Sequence, residues 1–248
     1  PMPWNVIAIT FTNKAAGEMK ARLGRIVGDK VDDLWCGTFH SMCLRILRAN
    51  AEAAGYKPGF TIYDDDDSKK VMTEAYSKFS INDKILPVKT AKNVISGAKD
   101  KLITAEEFDA DVDGDFKLQQ ISTIYTYYQS RLKETNAVDF DDIIMQTVFL
   151  FRNHPDILAK YQRQFDYVLV DEFQDTNHAQ LELALLLSGG SGNIMVVGDD
   201  DQSIYKFRGA TIENILHFDE KVKNVKEIKL EQNYRSTEHI LDAANAVI

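Results

Sequence analysis

The stretch Tyr167-Val168-Leu169-Val170-Asp171-Glu172 constrains the fold more than any other part of the chain. Four apolar residues, three of them β-branched or aromatic, run directly into two carboxylates. Such a run suits a strand buried on both faces of a parallel sheet. Asp171 and Glu172 then fall at the strand's carboxyl end, the edge where open α/β sheets bind ligands. Two adjacent carboxylates there can divide the labour. One can hold a Mg²⁺ through oxygen while the other orients or deprotonates a water. A solvated acidic turn is the plain alternative, and the dipeptide alone does not separate the two.

The chain before this stretch opens with the same strand–helix alternation. Residues 5–11 read as a strand, Thr12 as an N-cap and residues 13–23 as a helix. Backbone N–H groups at that helix start, with Lys14 beside them, form a natural phosphate cradle. An ordinary βα turn with a solvated lysine is the commoner meaning of such residues. Residues 34–37 read as a short strand and residues 41–54 as a helix, with Met42, Leu44, Ile46 and Leu47 at its apolar positions.

From Tyr56 to Asn136 the pattern changes to successive helices, over residues 66–79, 88–99 and 115–133, with no parallel strand among them. Pro58 and Pro87 punctuate them. This region reads as a helical insertion into an α/β domain. Asp64 to Asp67 suit a helix start, where acids complement the dipole. Asp109, Asp111, Asp113 and Asp115 match the opening of an EF-hand loop, but the twelfth position is Gln120 instead of a bidentate glutamate. A polar interhelical loop is therefore expected there, without calcium.

The α/β pattern returns with helices over residues 139–151, 155–164 and 179–187, and strands over 193–197 and 226–230. A last helix is expected from Ser236 onward. The glycine-rich Ser188 to Gly192 reads as a turn, because no Gly-Lys-Ser/Thr follows it. The chain has 248 residues and no apolar run near the ~20 of a membrane span. Its two cysteines, Cys36 and Cys43, near no ligand cluster, suggest a reducing cytosol and no metal. The net charge of −9 argues against nucleic acid, yet binding depends on local surface and not on the sum.

Asp171-Glu172-Phe173-Gln174-Asp175 resembles the Walker B box, motif II, of superfamily 1 DNA helicases of the UvrD/Rep/PcrA group. Residues 9–19 resemble motif Ia, residues 197–210 motif III and residues 230–237 motif IV. Gly37-Thr38-Phe39-His40-Ser41 and residues 137–142 resemble two shorter boxes. The matches stand in the family's order and cover nearly the whole chain.

The resemblance implies a RecA-like P-loop NTPase motor domain of α/β class, with a parallel sheet and an inserted all-helical subdomain. Residues 1–55 would be the first part of motor domain 1A, residues 56–136 subdomain 1B, and residues 137–248 the rest of 1A running into the start of 2A. It implies ATP and Mg²⁺ as cofactors, single-stranded DNA and duplex junctions as partners, and 3′-to-5′ translocation in repair or replication in the bacterial cytosol. Asp171 would hold Mg²⁺, and Glu172, reaching the metal through water, would activate the attacking water. Gln202 would sense the γ-phosphate, Tyr234 would stack on adenine and Arg235 would stabilise transition-state charge. DNA would meet Phe11, Thr12, Asn13, Lys14, Thr38, Phe39, His40, Tyr205, Phe207 and Arg208, with the rings as stacking platforms. Phe207 stands where the family often has Trp. Core burial is the alternative for Phe11 and Phe39.

One departure is large. No Gly-x-x-x-x-Gly-Lys-Ser/Thr occurs, and motifs V and VI are absent. An internal fragment of a helicase, inactive alone as an ATPase, is the simplest expectation. The motor of an AddA/RecB-like helicase–nuclease, or a DNA-binding module that lost its P-loop, are the rivals.

Overall fold

The computed structural model describes residues 2–112, 114–199, 202, 209–230, 232, 236, 237, 239, 240, 243 and 246. The chain divides into two compact units, Pro1–Leu216 and His217–Ile248.

In the first unit the strand–helix alternation builds a four-stranded parallel sheet. Its strands are β1 (Val6–Thr10), β2 (Trp35–Thr38), β5 (Tyr167–Val170) and β6 (Ile194–Val196), in the order β2-β1-β5-β6. Ile7 and Ile9 of β1 and Val168 of β5 are fully buried, as expected for interior parallel strands. The edge strand β6 is less covered, and Met195 is exposed.

The helices begin where side chains can cap them. Thr12 accepts the Ala15 N–H at the start of α1 (Asn13–Val27), as read from sequence. Thr38 and Ser41 form a capping box at the start of α2 (Phe39–Ala49). That cap starts the helix two residues before the expected Ser41, and it ends at Ala49, short of the expected Ala54. Asp139 caps α7 (Phe140–Asn153), Pro155 opens α8 (Pro155–Gln164), and Asn177 with Gln180 caps α9 (His178–Ser188). Helices α2, α7 and α9 pack in series, α7 against both others.

Between α2 and α7 lies the helical region: α3 (Asp65–Lys78), α4 (Val88–Asp100), α5 (Ala105–Asp111) and α6 (Phe116–Glu134). It carries its own core, including Met72, Ala75, Ile95, Ile124 and Tyr125. Two features depart from the sequence reading. Helix α5 was not expected, although Thr104 and Glu107 form its capping box. A parallel strand does occur: β3 (Thr61–Ile62) pairs with β4 (Ala137–Val138), Thr61 opposite Ala137. Two residues are too few to show periodicity, so only the tertiary pairing reveals them.

The acidic stretch at the end of α5 is built into the helices. Asp109 accepts from the Ser122 hydroxyl, and Asp115 caps α6 through the N–H groups of Lys117 and Leu118. Asp113 lies outside the described residues.

The first unit closes with α10 (Glu213–Leu216), tied back where the Asn214 amide donates to the Thr176 carbonyl at 2.9 Å. In the second unit α11 (Phe218–Lys221) is a helix, and the described residues 239, 240 and 243 are helical. Residues 226–230 do not form the expected strand. Their apolar members, Ile228 and Leu230, are exposed, and alternation makes a strand only where a neighbour supplies the ladder. Most of the helix expected beyond Ser236 lies outside the described residues.

Candidate active site and nucleic-acid interface

The candidate site is assembled at the carboxyl edge of the sheet. The ladder continues one residue past β5, where the Asp171 N–H donates to the Ile9 carbonyl at 2.9 Å. Burial pushes the Asp171 carboxyl up, the Glu172 N–H it accepts pulls it down, and the neighbouring Glu172 charge adds to the rise.

Glu172 then takes a left-handed backbone, φ 52 and ψ 43. A non-glycine residue there carries a cost of order ~1–3 kcal/mol and needs neighbours that over-determine it. They are present. Phe173–Asp175 make a tight 3₁₀ turn, and the Phe173 N–H donates to the Val197 carbonyl at 2.9 Å. Gln174, 1% exposed, folds its amide back onto Glu172, with Nε2 donating to Oε2 at 2.8 Å. The Oε1 of the same amide accepts the Asp199 N–H at 3.1 Å, and the Gln202 amide donates to the Asp199 carboxylate. Sequence reasoning saw Gln174 only as a letter of its motif, because its role depends on a fold-back that spacing does not encode.

A cleft of about 950 Å³ opens at this edge. Glu172, Gln174, Asp175 and Gln202 line it from the β5 and β6 ends, and Thr10, Phe11, Thr12, Phe39 and His40 from the β1 and β2 ends. Ser96, Gly97 and Asp100 of α4, with Asp141 of α7, supply the opposite wall. Thr10 Oγ1 and Asp175 Oδ1 are buried there without a hydrogen-bond partner. Asp171, Asn13 and Lys14 do not line the cleft.

The two phenylalanines meet edge to face, ring centroids 5.7 Å apart. Phe39 is 1% exposed and belongs to the core, whereas Phe11 is half-buried. Phe39 thus props Phe11, which carries the more open ring. Thr38 is buried and engaged as an N-cap, and Thr12 is exposed but likewise caps a helix. Asn13 and Lys14 are exposed on the first turn of α1. His40 packs against Phe140, and burial lowers its pKa while a hydrogen bond with the Phe140 backbone opposes the shift. Tyr205, Phe207, Arg208, Tyr234 and Arg235 lie outside the described residues.

The back wall is held by a buried charge cluster that the sequence did not announce. Lys99 Nζ lies 2.7 Å from Asp139 and 2.9 Å from Asp142, with all three essentially buried. The Tyr128 hydroxyl adds a bond to Asp139 at 2.9 Å. Next in sequence, Asp100 accepts from the Asn177 amide at 2.6 Å. Burial, with the nearby Asp141 charge, pushes the Asp100 carboxyl up to about 7 against that bond.

The donor chemistry fits Mg²⁺ accompanied by a phosphate. That ion takes one or two carboxylates, keeps several waters and completes its shell with substrate phosphate. Asp171 supplies such an oxygen, and among the described residues no group of three His, Cys, Asp or Glu is gathered as a protein cage.

A parallel sheet with paired carboxylates at its carboxyl edge and a helical excursion beside them defines a RecA-like motor domain. Residues 2–223 match the UvrD/REP helicase N-terminal domain, and the chain belongs to that family. Among curated relatives it is 48% identical over 246 residues to the ATP-dependent DNA helicase PcrA of Staphylococcus epidermidis, covering 99% of this chain and 34% of the relative. It is 47% identical to PcrA of Staphylococcus aureus over the same shares, and 45% identical to PcrA of Leuconostoc citreum, covering 99% of this chain and 33% of that one. The chain spans about a third of the length of these relatives.

Proposed function

We propose that this chain is the greater part of the first motor domain of an ATP-dependent DNA helicase that translocates 3′ to 5′ on single-stranded DNA and opens duplex junctions. The observation that carries the reading is the common edge. The carboxylates suited to nucleotide chemistry and the supported ring of Phe11 emerge from adjacent parallel strands, β5 and β1. Residues 1–55 and 137–248 belong to the motor in this reading, and 56–136 to its helical insertion. The curated relatives' name favours it over a helicase–nuclease.

Asp171 would hold Mg²⁺, which when bound neutralises phosphate charge. Glu172, held by Gln174, orients a water and accepts its proton. Gln202 stands on the adjoining loop, able to donate to a phosphate and accept from water. Tyr234 and Arg235 take adenine and transition-state charge. Phe11, Tyr205 and Phe207 offer stacking faces that tolerate any base, and Lys14 and Arg208 meet phosphates. Such an enzyme works in the cytosol and nucleoid, and no described helix is long and apolar enough to cross a membrane.

The test is Glu172→Gln in the full-length enzyme. ATP binding is retained, and DNA-stimulated turnover falls by about 10²–10⁴-fold, the usual weight of a general base. Near-normal turnover would remove Glu172 from this role. Residues 1–248 alone, which contain no phosphate-cradling Gly-Lys-Ser/Thr loop, are expected to hydrolyse no ATP.

A further inference from the structure

We infer that Gln174 is a positioning residue that sets the carboxylate of Glu172 and couples it to the loop carrying Gln202; this rests on the reading of Glu172 as the base. The geometry demands an amide. At one end of the side chain the Glu172 carboxylate requires a donor, 2.8 Å away. Beside it the Asp199 N–H requires an acceptor, 3.1 Å away. The Gln amide presents both functions in one rigid planar group, its NH₂ donating to Glu172 while its oxygen accepts from Asp199. A carboxylate in its place supplies the acceptor but no donor, and a thioether supplies neither.

The surroundings hold that amide in one place. Gln174 is 1% exposed. Gly198 lies directly against it, and a Cβ on Gly198 would sit 2.7 Å from Gln174 Oε1 and 2.7 Å from Ile215 Cδ1. The backbone of the turn is pinned to the same loop through Phe173 and Val197. Glu172 itself sits in a left-handed backbone conformation between β5 and the 3₁₀ turn. The Gln174 amide donates a hydrogen bond to that carboxylate and so fixes its direction. From Asp199 the chain of contacts continues to the Gln202 amide. A shift of the Gln202 loop therefore moves the Asp199 N–H, the Gln174 amide and the base together. Nucleotide state sensed at Gln202 and the aim of Glu172 become one mechanical variable.

The test uses the full-length enzyme at saturating single-stranded DNA, with Gln174→Met, Gln174→Glu, Glu172→Gln and the double variant Glu172→Gln/Gln174→Met. The expected result is a fall in kcat of about 10–100-fold for either Gln174 variant, as for a misaimed catalytic group. KM for Mg-ATP stays within about twofold, since bound substrate is not touched. The double variant is no slower than Glu172→Gln alone, because Gln174 acts through Glu172. A merely structural role would instead give additive losses and a raised KM, and either of these overturns the inference. Should Gln174→Met fail to fold, Gln174→Glu, which keeps the acceptor and the shape, decides alone. Unchanged kcat in the Gln174 variants beside an inactive Glu172→Gln overturns this inference only. Normal turnover in Glu172→Gln overturns the underlying reading and this inference with it.

Discussion

Lys99 and Asp142 form an ion pair in which neither side chain has any exposure to solvent, with nitrogen and oxygen 2.9 Å apart. Asp139 lies on the other side of the ammonium, so one cation serves two carboxylates. Burial lowers the Lys99 pKa, but the two carboxylates outweigh it and hold the pKa well above the ordinary value. Asp139 is likewise pushed up by burial and pulled below its usual range by Lys99 and its hydrogen bonds. Asp142 remains raised, at about 6, by its burial and then by the Asp139 charge beside it, against the pull of Lys99. The pair joins the end of α4 to the start of α7, and so joins the helical excursion to the sheet-bearing part.

Removing the cation leaves two carboxylates buried together. We predict that Lys99→Met destabilises the chain by about 3–5 kcal/mol, the range for breaking a buried pair from one side. Urea denaturation at pH 7 measures it. A loss under ~1 kcal/mol would mean that water or another cation already compensates these carboxylates.

Asp100 makes stability depend on pH in a direction opposite to the usual carboxylate. Its folded value of about 7 exceeds the ordinary 3.8, so between those values the folded chain binds more protons than the unfolded one. Unfolding free energy therefore falls as pH rises through that window. Asp142, raised to about 6, acts in the same sense at lower pH, and Asp141, also raised, adds in the same direction. Asp100→Asn should flatten the upper part, between pH 5.5 and 7.5. Parent denaturation midpoints that rise over this interval would contradict the assignment.

Phe11 and Phe39 should separate by assay. Phe11→Ala in the full-length enzyme is expected to weaken single-stranded DNA binding by about 1–3 kcal/mol at fixed salt, through loss of a stacking face. Phe39→Ala should cost about 3–5 kcal/mol of folding stability, as a core truncation. If Phe11→Ala binds DNA like the parent, the cleft edge is not part of the track.

The acidic stretch from Asp109 to Gln120 should bind no calcium at micromolar concentration. Asp109 and Asp115 are engaged with Ser122 and the α6 N-terminus, and the twelfth position lacks a carboxylate. Calorimetry is the measurement. A micromolar site abolished by Asp109→Ala would refute this.

The sheet and most of its helices were legible because their signals are local. Val168 and Val170 lie in an unbroken apolar run, and Thr12, Asp139 and Pro155 mark helix starts within one turn. The capping box at Thr104 and Glu107 is the same kind of local signal for α5. The alternation at residues 226–230 states which faces could be buried and not that a partner strand exists. The roles of Lys99, Asp100 and Gln174 were illegible for a different reason. A lysine and an aspartate at a helix end look like ordinary solvated charges. Only the packing of α4 against α7 and α9 turns one into a buried cation and the other into the partner of Asn177.

The pairing of Thr61 with Ala137 places the departure and the return of the chain on neighbouring strands, about 5 Å apart and running the same way. The excursion between them is therefore a graft on a single stem. Its length and content can change among related proteins without altering the distance the sheet-bearing part must bridge. The same stem limits what the excursion can do as a lever. Two strands of two residues resist sliding poorly, so resistance to its swinging comes from Lys99 and Asp100 at the far end of α4, together with Tyr128 and Gln129 of α6 where they bond Asp139 and Asp142. Cutting those contacts should leave the excursion folded but loosely hinged, and a protease would then find the joints before it found the core.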